Sequence, residues 1–204
     1  HFVERFNAAG VKSHYQPLAF DSRVLDRLEA CERNIELSFV GGISALHSKG
    51  TEVLAQCANS IQLDIWGYGA EGLPEGHVLT RHHHGPVFGL DLFAAFARSK
   101  ITLNRHIDVA ENNANNMRLY EATGCGALLI TDAKDNLHEL FEVGKEVLTY
   151  GSPQEAVELA EYYVTRPDEA RVIAEAGQAR TLGDHSYEKR MAMTAGWLEE
   201  ALRT

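Results

Sequence analysis

SKITLNRHIDVAENNANNMRLYEATGCGALLITD, residues 99–132, reads as strand, loop, helix, strand. Lys100 to Leu103 is short and β-prone. Residues 104–114 are polar, with three Asn and two acids. Asn115 or Asn116 can cap a helix that carries Met117, Leu119, Tyr120 and Ala122. Gly124 and Gly126 end that helix, and Ala127–Thr131 is a second apolar strand. Such a βαβ unit places the helix N-terminus beside the carboxyl ends of two parallel strands. Free N–H groups and the helix dipole favour an anion there, typically a phosphate. Ligands of open α/β sheets bind in that crevice. Arg118 stands in the first turn as a fork-shaped phosphate partner. Glu121, one turn on, is a carboxylate suited to neutral sugar hydroxyls. The alternative is that both are solvated helix charges.

Working outward, the upstream part repeats the alternation. Asp21 is a plausible cap for a helix with Val24, Leu25, Leu28 and Cys31 at helical spacing. IELSFV, Ile35–Val40, is a buried strand. Gly41 and Gly42 follow at once, and Thr51–Ala58 is an amphipathic helix. The two glycines permit close approach of backbone to a ligand, and Lys49 could reach a phosphate. The alternative is a tight turn followed by a solvated lysine. IQLDIW, Ile61–Trp66, is the next strand. Gly67-Tyr68-Gly69-Ala70-Glu71-Gly72 then matches GxGxxG. A dinucleotide fingerprint needs a helix opening straight after the glycines, and Leu73-Pro74-Glu75-Gly76 follows instead. It reads as a glycine-rich loop at a strand end. His77–Thr80 is a candidate short third strand. Arg81-His82-His83-His84-Gly85 is a polar, partly buried loop, because adjacent side chains cannot all face one metal. Gly89–Ala97 is a helix with Leu90, Phe93 and Phe96 inward.

Downstream, Asn136–Val143 is a short helix stopped by Gly144, and Glu146–Tyr150 is a last strand. Ser152-Pro153-Gln154-Glu155 opens a helix with Pro at its first position and an acid at its third. Helices 153–165, 167–181 and 186–202 follow, the last capped by Ser186. About six strands alternating with helices imply a doubly wound parallel sheet with helices on both faces.

The 204 residues carry a net charge of −10, with 45% apolar and 24% charged side chains. That balance is ordinary for a globular protein and argues against a general nucleic-acid binder, which needs a basic face. No apolar run approaches the ~18–20 residues of a membrane span. Cys31, Cys57 and Cys125 form no CxxC pair and read as reduced, mostly buried thiols of a cytoplasmic protein. The first twenty residues look like a linker closing an upstream domain. Residues 21–185 are then a Rossmann-like domain, and 186–204 a final crossing helix.

SKITLNRH, NNMRLYEATGCGALLITD, LFEVGKEVLTYGSPQEAVELAEYY and DHSYEKRM together resemble the C-terminal half of a group 1-like glycosyltransferase. The branch with the greatest similarity is that of the CgeB-type spore maturation proteins. The detailed resemblance covers roughly Gly85 to Met191. It implies the GT-B architecture, two Rossmann-like domains across a cleft, with the nucleotide-sugar donor on this C-terminal one. The acceptor domain would then lie upstream and is mostly absent from these residues. The resemblance places the donor ribose at Glu121 and the diphosphate at Arg118 and the N–H groups near Asn116 and Met117. It brings in Lys49 behind Gly41 and Gly42, and Asn104 and His106 of LNRH, with Gly67 and Tyr68 at the neighbouring strand end. Many group 1 enzymes have a second glutamate eight residues before Glu121; here that position is Asn113. No metal and no cofactor beyond the sugar nucleotide is implied, and the catalytic base is left unassigned. A GT-B sugar-nucleotide epimerase and a non-catalytic binding domain that kept the fold are the alternatives.

Overall fold

The computed structural model describes residues 2–43 and 48–203, the side chains of Ser48 and Lys49 excepted. In chain order the main elements are α1 (Phe2–Ala8), β1 (Ile35–Val40), α2 (Ser48–Ser60), β2 (Leu63–Trp66), α3 (Gly89–Arg98), β3 (Ser99–Leu103), α4 (Met117–Gly124), β4 (Leu128–Asp132), α5 (Leu137–Leu140), β5 (Leu148–Tyr150), α6 (Pro153–Val164), α7 (Pro167–Asp184) and α8 (Tyr187–Arg203). The five strands form one wholly parallel sheet in the order β2-β1-β3-β4-β5. The order reverses between β1 and β3, and the crevice outside that point is where such sheets receive ligands.

The pleat sends alternate side chains to opposite faces. Leu128 and Ile130 join Leu37, Phe39, Ile101 and Leu103 under α2 and α6. Leu129 turns the other way, against Phe96 of α3 and Leu119, Tyr120 and Ala122 of α4. Both layers are fully buried, as a parallel sheet requires. On the α3–α4 side, Ser38 of β1 and Thr102 of β3 are buried and hydrogen-bonded to each other across the strands, so neither hydroxyl is orphaned. The helix starts follow their capping residues. Asn116 accepts from the Leu119 N–H at 3.2 Å, Ser152 from Glu155 at 3.2 Å, and Ser186 from Lys189 at 3.4 Å.

Several expectations are corrected. Residues 77–80 are not a strand, and Val78–Thr80 is a 3₁₀ turn, because the His77 side chain accepts from the Leu79 N–H. The sheet has five strands, not about six. After Asp21 a 3₁₀ turn spans only Ser22–Arg27, and Cys31 lies beyond it, exposed; Cys57 and Cys125 are buried. In α3 Phe96 is buried with Leu92 and Ala95, and Phe93 packs against the same cluster, whereas Leu90 is exposed. The helix expected over 136–143 is a single turn, Leu137–Leu140, and the last strand begins at Leu148 rather than Glu146. Among the described residues no helix is long and apolar enough to cross a membrane.

The N-terminal segment runs antiparallel along α8. The Phe20 N–H donates to His185 O (2.9 Å) and the Tyr187 N–H to Phe20 O (3.3 Å). Thr194 bonds Gln16 at 3.0 Å, His14 stacks on Trp197 at 4.7 Å, and Lys12 meets Glu200 at 2.8 Å. His185, buried, is the knot. Its Nε2–H donates to Leu140 O at 2.7 Å, and its Nδ1 accepts from the Arg190 guanidinium at 2.6 Å. Burial pushes the imidazole pKa down. Burial, aided by the charges of Arg190 and Arg180, outweighs the Leu140 bond and Asp184, which push the other way. The unfolded chain therefore binds the proton first. This contribution to stability is complete above the ordinary value of 6.5 and is lost as pH falls below it toward the depressed folded value. Urea melts of the wild type and His185→Gln, from pH 7.5 to 5, test this. The difference in stability between the two should shrink as the pH falls; a constant difference would show that His185 does not titrate on unfolding.

Candidate functional site

Two clefts open beside the carboxyl ends of the strands, and they share the strip Arg105-His106-Ile107. The first, about 510 Å³, lies at the β1/β3 switch point, and its floor comes from the turns after β1 and β2. These turns extend the parallel ladder beyond the strands. The Gly41 N–H donates to Trp66 O and the Ile43 N–H to Tyr68 O, both at 2.8 Å. The GxGxxG glycines serve this contact. A Cβ on Gly67 would lie 2.0 Å from Gly41 O, and one on Gly69, where φ is +97°, 1.7 Å from Ile43 O. A 3₁₀ turn, Ala70–Gly72, follows in place of an α-helix. Tyr68, 62% exposed, leans its ring edge over Gly42.

The far wall is the start of α4, held in place by amides. Asn116 Nδ2 donates to Asn104 Oδ1 at 2.9 Å and to Arg105 O at 3.0 Å, and Asn104 Nδ2 donates to Thr131 Oγ1 at 2.9 Å. This network anchors the loop after β3 against the start of α4, where Asn116, Met117 and Arg118 line the cleft. Arg118 stands at the wall's edge with its side chain partly exposed. Its Nε donates to Val40 O at 2.8 Å, its Nη1 pairs with Glu121, and its guanidinium lies 5.9 Å from the Phe96 ring centre.

Eight of the eleven residues singled out from the sequence line this cleft: Gly41, Gly42, Tyr68, Asn104, His106, Asn116, Met117 and Arg118. Gly67 lies beneath it as a packing contact. Glu121 is buried behind Arg118 and does not form the cleft wall. Lys49 falls in the first turn of α2, but its side chain lies outside the described residues. Asn113, at the expected second-glutamate position, is not among the residues that line either cleft.

Sequence reading missed Arg105 and Asp132. Arg105 Nη2 donates to Gly42 O at 2.8 Å, and the guanidinium sits 5.6 Å from the Phe39 ring centre, bridging β3 to the turn after β1. Its signal was available only as a lone cation inside LNRH. Asp132, at the end of β4, accepts on Oδ1 from the His106 N–H (3.0 Å) and ring Nδ1 (2.7 Å), with Lys134 Nζ 3.2 Å from Oδ2. Burial pushes this carboxyl up, but the His106 bond and charge together with Lys134 outweigh it and hold the pKa below the usual carboxylate range. The second cleft, about 790 Å³, lies on this side, with Asp108, Lys134, Tyr150 and Ser152 in its walls. The histidine run turns out to be a local brace. Ile65 exchanges backbone hydrogen bonds with His82 and His84, and His84 pairs with Asp64 at 2.6 Å and stacks on Trp66.

A family model described as glycosyl transferase-like matches residues 49–195. The chain belongs to the glycosyl transferase-like family. Its fold is that of GT-B glycosyltransferase domains. Sucrose-phosphate synthase from Thermosynechococcus elongatus superposes with a TM-score of 0.68 at 18% identity, over 98% of this chain and 55% of that one. Anabaena HepE in complex with UDP gives 0.70 at 16% identity, over 97% and 61%. The C-terminal domain of LpcC, a glycosyl transferase group 1 family protein from Francisella tularensis, gives 0.62 at 12% identity, over 83% of this chain and 100% of that domain. This family member thus spans between 55% and 61% of the length of the first two. Comparison with curated proteins gives no sequence match.

Proposed function

We propose that this chain is the donor-binding half of a glycosyltransferase, that its donor is a nucleoside-diphosphate sugar, and that the cleft between the β1 turn and the start of α4 receives the diphosphate. The single observation that carries the reading is the placement of Arg118 and the opening N–H groups of α4 on one cleft at the switch point of a GT-B-type sheet. Donor cleavage leaves a nucleoside diphosphate with added negative charge. A guanidinium and a helix N-terminus already aimed at that position stabilise it without reorganising. These groups supply the charge stabilisation, so the reaction needs no resident metal. UDP is the first nucleotide to try, since HepE and a pneumococcal O-GlcNAc transferase are both solved with UDP.

The acceptor then binds a second, N-terminal domain, which fits the share of the neighbours' length that this chain spans. Transfer activity belongs to the two domains together, in a cytoplasmic enzyme of the CgeB-type branch. Calorimetric titration with UDP, GDP, ADP and CDP, with and without EDTA, tests the reading. Binding of one nucleotide over the others, unchanged by EDTA, is the expected result. Binding that disappears with EDTA would replace the metal-free reading, and no binding by any of the four would defeat the donor assignment.

A further inference from the structure

The strip that separates the two clefts contains a histidine with one nitrogen committed and one idle. The His106 side chain is 1% exposed. Its Nδ1 meets Asp132 Oδ1 at 2.7 Å, and its backbone N–H meets the same oxygen at 3.0 Å. Its Nε2 is buried with no hydrogen-bond partner among the described residues. A buried polar atom without a partner is costly, and at the edge of a ligand cleft a group that arrives with the ligand would relieve it.

The placement of the hydrogen on Nδ1 follows from Asp132. Asp132 is held ionised, with Lys134 on its other oxygen. A carboxylate only accepts, so Nδ1 carries the ring hydrogen. The charged and titratable groups that line the larger cleft with His106 are Arg105, Asp108 and Glu111 on the loop after β3, Asp132 and Lys134 after β4, Glu52 of α2, and Tyr150 of β5, whose hydroxyl donates to Asn104 O at 2.9 Å. When the ring is neutral in this tautomer, Nε2 is a lone-pair acceptor. A diphosphate oxygen, itself an acceptor, cannot satisfy it; a hydroxyl can.

We infer that His106 is neutral when the sugar nucleotide is bound, that its Nε2 then accepts a hydrogen bond from a hydroxyl of that ligand, and that Asp132 is the positioning residue that fixes the ring and its tautomer for that contact. This rests on the donor reading above. The hydroxyl belongs either to the ribose or to the transferred sugar, and the same chemistry serves both.

Nitrogen-15 NMR of the ring nitrogens comes first, on the unsubstituted chain. His106 should be neutral with its hydrogen on Nδ1, and the Nε2 resonance should shift when ligand is added. An Nε2-protonated or cationic ring in the bound state would overturn the inference, whatever the variants do. Calorimetry then compares UDP, 2′-deoxy-UDP, 3′-deoxy-UDP and UDP-glucose. If the ribose is the source, one deoxy analogue binds the wild type roughly fivefold more weakly than UDP, and His106→Ala and Asp132→Asn lose that preference. If the transferred sugar is the source, the three UDP forms bind alike, and a preference for UDP-glucose over UDP disappears in both variants. No hydroxyl-dependent preference in the wild type, or a variant loss equal across the series, would overturn the assignment while leaving nucleotide binding intact. Failure of every nucleotide to bind would instead remove the donor reading, and this inference with it.

Discussion

UDP binding to Arg118→Ala is expected to be roughly tenfold to a hundredfold weaker than to the wild type, the usual cost of losing a hydrogen bond to a charged group. The same substitution should lower stability. Arg118 holds two acceptors, the Val40 carbonyl and the Glu121 carboxylate, and Glu121 is buried. Removing one partner of a buried pair leaves the other charge uncompensated, which costs about 3–5 kcal/mol when fully enclosed. The side chain of Arg118 is 27% exposed, so water reaches this site and the loss should fall nearer 2 kcal/mol. The two effects separate in a double variant. Arg118→Ala with Glu121→Gln removes the stranded charge, so its urea midpoint should return most of the way to wild type while its affinity for UDP stays low. Wild-type affinity in Arg118→Ala would take Arg118 out of the anion site. Recovery of affinity in the double variant would mean that the stranded carboxylate had been repelling the nucleotide.

The second large effect is expected at Gly69. An alanine there must hold φ near +97° and place its Cβ 1.7 Å from the Ile43 carbonyl oxygen. Neither demand can be met by rotating a side chain, because the obstacle is backbone. Strain of this kind costs of order 1–3 kcal/mol, and the clash adds to it. The loop must either lift or weaken the Ile43–Tyr68 hydrogen bond that continues the ladder past β1 and β2. Gly69→Ala should therefore lower the thermal midpoint by several degrees and blunt nucleotide binding by opening the cleft floor. Gly72→Ala is the control. A Cβ at Gly72 meets nothing within 4 Å and requires no unusual φ, so it should behave as wild type. Equal behaviour of the two variants would show that the turn is pliable.

The strands of the central sheet were legible because their signals are local. IELSFV, LDIW and LLITD are apolar runs bounded by glycine, polar residues or a helix end, and each is a strand in the structure. The Ser-Pro start of α6 and the Pro start of α7 were legible for the same reason. The misreadings came from contacts between distant residues or from a local competitor. His77 caps its own turn, which defeats the β-prone Val78-Leu79-Thr80. The histidine run is the polar, partly buried loop its sequence suggests, but its pairing with Ile65, some twenty residues upstream, had no local signal. In the site, the residues around Asn116 were found because a helix start advertises itself. Arg105 was not, because its partner Gly42 is brought near only by the pairing of β1 with β3. Asp132 was overlooked in the same way. Its union with His106 depends on the register that sets Leu103 beside Ile130, which no spacing in the chain reveals.

The strap along α8 has a mechanical side. Its contacts run in strict order, Phe20 with Ser186, Gln16 with Thr194, His14 with Trp197 and Lys12 with Glu200, so both arms leave the isolated Phe20–Ser186 bridge and travel outward together. A load applied to those two arms reaches the Lys12–Glu200 contact first and each inner contact only after the outer one has parted. The strap opens like a zip, one weak link at a time, but Tyr15, Gln16 and Leu18 are also tied to Ala114 and Asn115 before α4, so a pull on the N-terminal arm reaches the wall of the cleft before the knot at His185 gives way.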